Sequence, residues 1–290
     1  MPDHPSTSSS SSSADAGAPV TPELIAGATA RLGVAIAAAG EVAEMARAVY
    51  QSPDLEIDRK PDGSVVTAID RSGEERIRTL VAEQFPADDI LGEEFGGGGG
   101  EGPWRWVIDP IDGTRSFTLG IPSFCTLIGI EHADHPGMSL AGCASFPATG
   151  ERLDAVHGGG ATWTTLSGRT RPARVSAESN LGKATVELGA PSSFRRRGPA
   201  VEQRRRELVD AIHRTRGWDD GYAFALVATG RVDAAVQCGL SRWDISPFDV
   251  ILREAGGRLT DWAGEPGLNG DGNVIAGPAG LVEGLSALLH

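Results

Sequence analysis

The chain has 290 residues, of which 40% are hydrophobic, so it is long enough for one large or two small domains with a buried core. Its formal net charge of −13 disfavours nucleic acid and anionic membranes as partners, because both recruit clustered Lys and Arg. Three scattered cysteines without a C-x-x-C pair indicate neither a disulfide framework nor a zinc site. No apolar run is expected to be long enough to span a bilayer. A cytoplasmic location is therefore expected.

The N-terminal region changes character near residue 21. Residues 1–20 contain the run Ser8–Ser13 and cannot bury enough surface to offset chain entropy, so they are predicted to be a disordered tail. Thr21, followed by Pro22, then predicts the start of a long helix with apolar residues at helical spacing. A hairpin is predicted over residues 55–70, because two short apolar segments flank a turn containing Pro, Asp and Gly.

Acidic residues then occur twice at the ends of predicted elements. Asp70 begins a second helix, where two compatible roles are open to it: a cap of the helix and an outer-sphere acid near a metal. The apolar pair Ile90–Leu91 runs into Gly92-Glu93-Glu94, ahead of the glycine run at 96–100. These adjacent acids are either surface charge or side chains that a strand end presents to a shared site.

The central feature of the chain is the stretch Trp106–Phe117. An apolar strand leads into Asp109 and Asp112 across a proline turn. Two charges about 4 Å apart repel by roughly 4 kcal/mol at an effective dielectric near 20, so a cation is expected between them, and oxygen ligands favour Mg²⁺. Gly113 and Thr114 then open a short helix whose N–H groups could face a phosphate. Alternatively, the two acids cap the following turn.

The rest of the chain predicts a second lobe. Alternating strands after Phe117 belong to one antiparallel sheet, which completes an N-terminal lobe over 21–166. Alternating strands and helices follow over 167–290. Within this lobe Asp244 lies at a helix N-terminus, either as a cap or as a last carboxylate that reaches the site across a cleft.

Four separate segments together resemble the inositol monophosphatase family of Mg²⁺-dependent phosphatases. The family's W-x-x-D-P-I-D-G-T-x-N-F matches Trp106–Phe117, its G-E-E matches Gly92–Glu94, and its W-D-x-A-A with E-A-G-G matches Trp243–Gly257. The upstream K…V-T-x-x-D element is matched by Lys60, Thr67 and Asp70. The resemblance implies an α+β fold, a layered αβαβα sandwich of the inositol monophosphatase and fructose bisphosphatase type, with the site between the lobes.

The resemblance also implies a cofactor of two or three Mg²⁺ ions per site. Glu93, Asp109 and the carbonyl of Ile111 would hold one ion. Asp109, Asp112 and Asp244 would hold a second. Ions a few Å apart would neutralise acids that could not otherwise coexist, and would clamp the attacking and leaving oxygens.

The implied mechanism is direct attack of a metal-activated water on phosphorus. Glu93 and Thr114 would hold this water, and Asp70 would act through water. The backbone amides of Gly113 and Thr114 would bind phosphate oxygens. The substrate-binding residues implied by the resemblance are Asp112, Gly113, Thr114, Asp220, Gln237 and Asp244.

Departures from the family pattern bear on the substrate. Gln237 stands where inositol-specific members have a Glu that accepts substrate hydroxyls, which weakens the case for inositol phosphate. Trp218–Gly221 resembles the aromatic-x-Asp segment of histidinol-phosphate phosphatases, in which Asp220 could receive a cationic or polyhydroxyl leaving group. Alternatively, Asp219 and Asp220 cap a helix.

The predicted function is therefore a phosphomonoesterase that acts on a small phosphorylated metabolite, with L-histidinol phosphate ahead of inositol phosphate. Sugar or nucleotide phosphates are alternatives, as are a non-catalytic phosphate-binding protein and a non-hydrolytic, cyclising member of the family. The resemblance suggests a homodimer.

Overall fold

The computed structural model describes residues 19–53, 55–61, 63–218 and 220–289. Almost all of the predicted disordered tail, and Asp219, lie outside these residues. The helices are α1 (Pro22–Val49), α2 (Ala68–Gln84), α3 (Thr114–Thr118), α4 (Pro191–Arg196), α5 (Pro199–Ala211), α6 (Asp220–Ala228), α7 (Arg242–Glu254) and α8 (Ala279–Leu289). The strands are β1 (Ile57–Arg59), β2 (Val65–Thr67), β3 (Asp89–Gly92), β4 (Gly96–Gly97), β5 (Trp104–Asp112), β6 (Cys125–His132), β7 (Ser139–Phe146), β8 (Glu151–Val156), β9 (Gly160–Thr164), β10 (Thr170–Pro172), β11 (Thr185–Leu188), β12 (Arg214–Arg216), β13 (Ala234–Gln237), β14 (Arg258–Asp261) and β15 (Val274–Gly277).

Two sheets and three helical layers alternate through the molecule. Strands β3 to β10 form an eight-stranded sheet in the order β10-β9-β8-β7-β6-β5-β3-β4, and the other large sheet has the order β12-β11-β13-β15-β14. Apolar side chains of α1 and α2 pack on one face of the first sheet, while α6 and α7 pack between the two sheets. Helices α4, α5 and α8 cover the outer face of the second sheet. The predicted αβαβα sandwich is confirmed.

Helix α1 begins as predicted, with Thr21 as N-cap and Pro22 in the first turn. The expectation that no apolar run is long enough to span a bilayer was wrong, because α1 has 28 residues and meets the length and composition of a membrane span. In this fold one side of α1, which includes Ala35 and Ala39, is fully buried in the cluster that joins the helix to the first sheet.

The predicted hairpin is also present, since β1 and β2 pair antiparallel. The first sheet continues through β10, which pairs with β9 beyond residue 166, where the sequence places the start of the second lobe. The second sheet begins at Thr185. Helix α7 comes from the C-terminal part of the chain but packs on β6 and β7 of the first sheet. At this contact, residues from both halves of the sequence therefore lie side by side.

Candidate active site

Asp109 and Asp112 lie on the same face of β5, although they are three residues apart. Side chains alternate along a strand, so an odd spacing would normally place them on opposite faces. Asp109 pairs with Leu127 and Asp112 with Cys125, so the register shifts by one residue between them, as in a β-bulge. Leu127 and Cys125 both face the layer that contains α6 and α7. Both carboxylates therefore point toward that layer.

Asp244 reaches the same point from the N-terminus of α7. Ser241 is the N-cap of this helix, and its N–H donates to Asp244 Oδ2 over 2.7 Å in a capping box. The ligand atoms of Asp109, Asp112 and Asp244 all lie within 4.8 Å of one another. Asp244, which lies more than a hundred residues after Asp109 and Asp112 in the sequence, thus forms one cluster with them, and the cluster could hold a metal ion.

Glu93 joins this cluster from the neighbouring strand end. Strand β3 runs parallel to β5 and ends at Gly92, opposite Ile108, so Glu93 follows directly beside Asp109. The Glu93 carboxylate accepts from Lys60 Nζ at 2.8 Å, and it lies close enough to Asp109 for its charge to raise the pKa of that acid. Its role is therefore not that of free surface charge.

All of these groups line a cavity of about 520 Å³. The lining residues are Lys60, Ser64, Val65, Glu93, Asp109, Ile111, Asp112, Gly113, Thr114, Arg115, Asp220, Ser241, Trp243 and Asp244. The five predicted metal-binding residues, including Ile111 with its carbonyl, are among them.

The carboxylates of the cluster are electrostatically strained without a cation. Burial raises the pKa of Asp109 well above its usual range, and the charges of Glu93, Asp112 and Asp244 raise it further. Burial and the charge of Asp220 do the same to the pKa of Asp112. The pKa of Asp244 rises to about 7, mainly through burial. A hard cation with oxygen ligands would remove this repulsion, so the donor set fits a metal of the Mg²⁺ type.

Asp70 and Thr114 form a hydrogen-bonded pair at the edge of the cavity. Thr114 Oγ1 lies 2.8 Å from Asp70 Oδ1 and 3.0 Å from the carbonyl oxygen of Ile111. Asp70 Oδ2 accepts the N–H and the hydroxyl of Thr67, at 2.7 and 2.6 Å. The N-cap of α2 is therefore Thr67, which corrects the prediction that Asp70 itself is the cap. Burial raises the pKa of Asp70 against the opposing effect of these hydrogen bonds.

Gly113 marks the start of α3 and requires glycine for two reasons. Its φ of +76° lies in the left-handed region, and a Cβ there would be 2.6 Å from Asp220 Oδ2. Gly113 is the N-cap of α3 and makes no side-chain cap, so Asp109 and Asp112 do not cap this helix. Asp109 Oδ1 instead accepts the Ile111 N–H at 3.0 Å inside the bulge. Asp109 therefore caps the turn, as the alternative predicted, and also belongs to the acidic cluster, whereas Asp112 accepts from the N–H of Gly221.

The two predicted specificity residues lie in different surroundings. Asp220 lines the cavity, and its Oδ2 accepts from Ser116 Oγ at 2.6 Å and from Ser123 Oγ at 3.4 Å. Gln237 is 3% exposed, and its Nε2 donates to Glu187 Oε2 at 2.8 Å. Asp220 thus lies in the cavity lining beside the metal cluster, whereas Gln237 is not among the lining residues, so a substrate contact by Gln237 stays a prediction.

Sequence analysis missed the partners that orient Asp112. The Cys125 thiol lies 3.3 Å from Asp112 Oδ2, and the backbone N–H of Gly221 donates to the same oxygen. In the sequence Cys125 shows only that it is an isolated thiol in an apolar strand. Its contact with Asp112 depends on the bulge in β5, which no local pattern reveals.

Comparison with known proteins agrees with this geometry. The sequence model of the inositol monophosphatase family matches residues 29–290. The chain is 36% identical to a histidinol-phosphatase of Mycobacterium tuberculosis over 84% of this chain and 91% of that protein. It is 32% identical to an inositol-1-monophosphatase of Mesorhizobium japonicum over 77% of this chain and 82% of that protein.

Comparison with solved structures shows that the fold is shared as well. The crystal structure of the extragenic suppressor protein suhB from Bartonella henselae superposes with a TM-score of 0.81 and 27% identity, covering 90% of this chain and 98% of that one. The shared fold covers 90% of the chain, and the four matched segments lie within the region that the family model matches. The chain therefore belongs to the inositol monophosphatase family and is a phosphoric monoester hydrolase.

Proposed function

We propose that this protein hydrolyses L-histidinol phosphate with Mg²⁺ as its cofactor. The observation that carries this proposal is Asp220, a carboxylate in the wall of the cavity beside Gly113 and outside the metal-binding set. Histidinol phosphate carries a protonated amine close to its phosphate ester, and a carboxylate binds such a group by a charge-assisted hydrogen bond. The 36% identity to histidinol-phosphatases of Mycobacterium tuberculosis and Streptomyces coelicolor supports the same substrate.

Two or three Mg²⁺ ions per site would be held by the buried acidic cluster. Glu93, Asp109 and the Ile111 carbonyl would hold one ion, and Asp109, Asp112 and Asp244 a second. When bound, Mg²⁺ supplies positive charge that neutralises the carboxylates and stabilises the charge that develops on the phosphoryl oxygens.

The chain's own residues position the attacking water. When Thr114 directs its hydroxyl proton to Asp70 Oδ1, a lone pair on Thr114 Oγ1 is free to accept a hydrogen bond from water. Glu93, which lines the same cavity, offers a second acceptor. Two fixed acceptors hold both protons of the water and leave its lone pair directed at phosphorus. The amides of Gly113 and Thr114 would bind the phosphate oxygens.

Inositol phosphate is the second candidate, because the chain also resembles an inositol-1-monophosphatase. Gln237 disfavours it, since this uncharged amide binds Glu187 and lies outside the cavity lining. Sugar and nucleotide phosphates generally lack a protonated aliphatic amine close to the phosphate ester, which is the group that would pair with Asp220. A non-hydrolytic role is disfavoured because none of the predicted carboxylate ligands is replaced in this sequence.

Phosphate release from a panel of esters tests the proposal. L-Histidinol phosphate, inositol 1-phosphate, a sugar phosphate and a nucleoside monophosphate are assayed with Mg²⁺ and with EDTA. We expect kcat/KM for histidinol phosphate to exceed the others by at least about tenfold, the factor expected for one charge-assisted contact. Thr114→Ala is expected to lose turnover on every ester. A higher kcat/KM for inositol phosphate would refute the substrate assignment, and Mg²⁺-independent turnover would refute the cofactor.

We also propose that the protein is a cytoplasmic homodimer, as the resemblance suggests. Analytical ultracentrifugation of the full chain gives its mass in solution, which is expected to be twice 30.2 kDa. Cell fractionation tests the location.

A further inference from the structure

Glu74 is a fully buried carboxylate that the mechanism above does not use. It lies on α2 one turn after Asp70, so it faces the same side of the helix. Arg78 Nε donates to its Oε1 at 2.9 Å, and the ion pair spans one helical turn. The backbone N–H groups of Glu94 and Phe95 donate to its two oxygens at 2.8 and 3.2 Å. A buried charge needs such compensation, and here much of it comes from another part of the chain.

These two backbone donors directly follow Glu93. The Glu93 N–H itself donates to the carbonyl of Ile108 on β5 at 3.2 Å. The main chain is therefore fixed at Glu93 by the central strand, and at the next two residues by Glu74 on α2. Few conformations remain for Glu93 once its backbone is held on both sides, and its carboxylate lines the same cavity as Asp109.

Gly92 shows how closely Glu74 approaches this segment. A Cβ at residue 92 would lie 2.1 Å from Glu74 Oε1 and 2.6 Å from Oε2. The Glu74 carboxylate fills the space that any side chain would need. The glycine of the Gly92-Glu93-Glu94 segment is thus required by a residue that lies 18 positions earlier in the sequence.

Arg78 extends the same attachment along the glycine-rich segment. Its NH2 donates to the carbonyl of Gly96 at 2.6 Å and its NH1 to that of Gly98 at 3.1 Å. The run of glycines at 96–100 is therefore tied to α2 by one guanidinium group. Asp70, on the same helix, holds Thr114. One face of α2 therefore organises both sides of the cavity.

We propose that Glu74, together with Arg78, is a positioning residue that sets the Glu93 carboxylate for cation binding. Glu74 contacts neither the substrate nor the reacting atoms, and it acts through the backbone of residues 94 and 95. The kinetic part of this inference rests on the proposed function. The effect of Glu74 on Mg²⁺ affinity rests only on the acidic cluster. The effect on Mg²⁺ affinity and the proposed function can therefore be refuted separately.

Glu74→Gln in the full-length protein tests the inference. A carboxamide has one oxygen for three donors, and its NH₂ group would face the N–H of Glu94 or Phe95. We expect the Kd for Mg²⁺, measured by calorimetry without substrate, to rise by about tenfold or more, as for groups that orient metal ligands. The Mg²⁺ concentration for half-maximal phosphate release should rise in parallel, while kcat at saturating Mg²⁺ stays within about threefold.

Glu75→Gln is the matched control, because Glu75 is the exposed neighbour on the same helix and should leave both readouts unchanged. Arg78→Gln, at a partly exposed side chain, is the second variant and decides the question if Glu74→Gln does not fold. A folded Glu74→Gln protein with unchanged Mg²⁺ affinity, or with a lower melting temperature as its sole effect, would overturn the inference. Absence of phosphate release in the unaltered protein would refute the proposed function, and calorimetry would still decide the role of Glu74.

Discussion

Asp70 and Asp244 occupy equivalent positions in two different helices, each as the third helical residue and the acid of a capping box. Asp70 Oδ2 accepts the N–H of Thr67, and Asp244 Oδ2 accepts the N–H of Ser241. Each carboxylate keeps a second oxygen outside the capping box, and that of Asp70 contacts Thr114. Capping and site functions, which the sequence indicates as separate roles, are therefore combined in one side chain. A helix end fixes the direction of an acid more firmly than a loop would.

Asp109 is the residue shared by both proposed metal positions, so its replacement should remove activity. We expect Asp109→Asn to lower turnover by about 100-fold or more while the fold is retained. In EDTA the variant should melt at a higher temperature than the unaltered protein, because one member of a repelling buried cluster is neutral. Phosphate release and thermal unfolding measure these effects. Asp210→Asn, at an exposed position of α5, is the control. Near-normal activity of Asp109→Asn would exclude the two-metal arrangement.

The stability of the metal-free protein should fall as pH rises through the range in which Asp244 titrates. Its pKa is about 7 in the folded state against a usual value of 3.8, so the folded protein binds more protons than the unfolded chain between these values. The contribution is fully present below about pH 4 and is lost as pH rises through 7. Raised pKa values of Asp109 and Asp112 act in the same direction.

Mg²⁺ should reverse this trend, because it binds the charged carboxylates. The increase in melting temperature on adding Mg²⁺ is therefore expected to grow between pH 5 and pH 8, a range chosen to span the pKa of Asp244, about 7. Differential scanning calorimetry in EDTA and in Mg²⁺ gives both curves. The same increase at every pH would show that these carboxylates do not bind the cation.

Asp220 should determine the preference for a cationic leaving group. Asp220→Asn removes a charge that contributes about 1.5–3 kcal/mol to a hydrogen bond with an amine, so KM for histidinol phosphate should rise by about tenfold to 100-fold. KM for inositol 1-phosphate, which has no amine, should change much less. Steady-state kinetics are measured on both esters. Ser116→Ala, which removes the hydroxyl group that orients Asp220, shows whether the position of the carboxylate matters as well as its charge. Equal losses on both esters would assign Asp220 to the metal cluster instead.

Two glycines of α1 should respond in opposite directions to alanine. Gly33 is exposed, and an added methyl group would have nothing within 4 Å, so Gly33→Ala should stabilise the protein by about 0.5–1 kcal/mol through helix propensity. At Gly27 a Cβ would lie 2.7 Å from Trp104 Cζ2, and overpacking should destabilise Gly27→Ala by about 1–2 kcal/mol. Urea unfolding of both variants checks the pair. Stabilisation of both would show that Trp104 can move aside.

Local sequence patterns were sufficient to predict the elements that carry the site and the identity of its acids. Period-3.6 and period-2 patterns, caps such as Thr21 and the carboxylates at strand ends are local properties, and they predicted the helices, the hairpin and the acidic residues. Which of these acids meet depends on the packing of distant segments. The bulge in β5 turns Asp112 to the face of Asp109, and α7 packs on the first sheet to bring Asp244 across. The close approach of Glu74 to Gly92 could likewise not be predicted from sequence patterns. Strand register and helix packing depend on contacts between residues far apart in the chain, and no local pattern of residues records them.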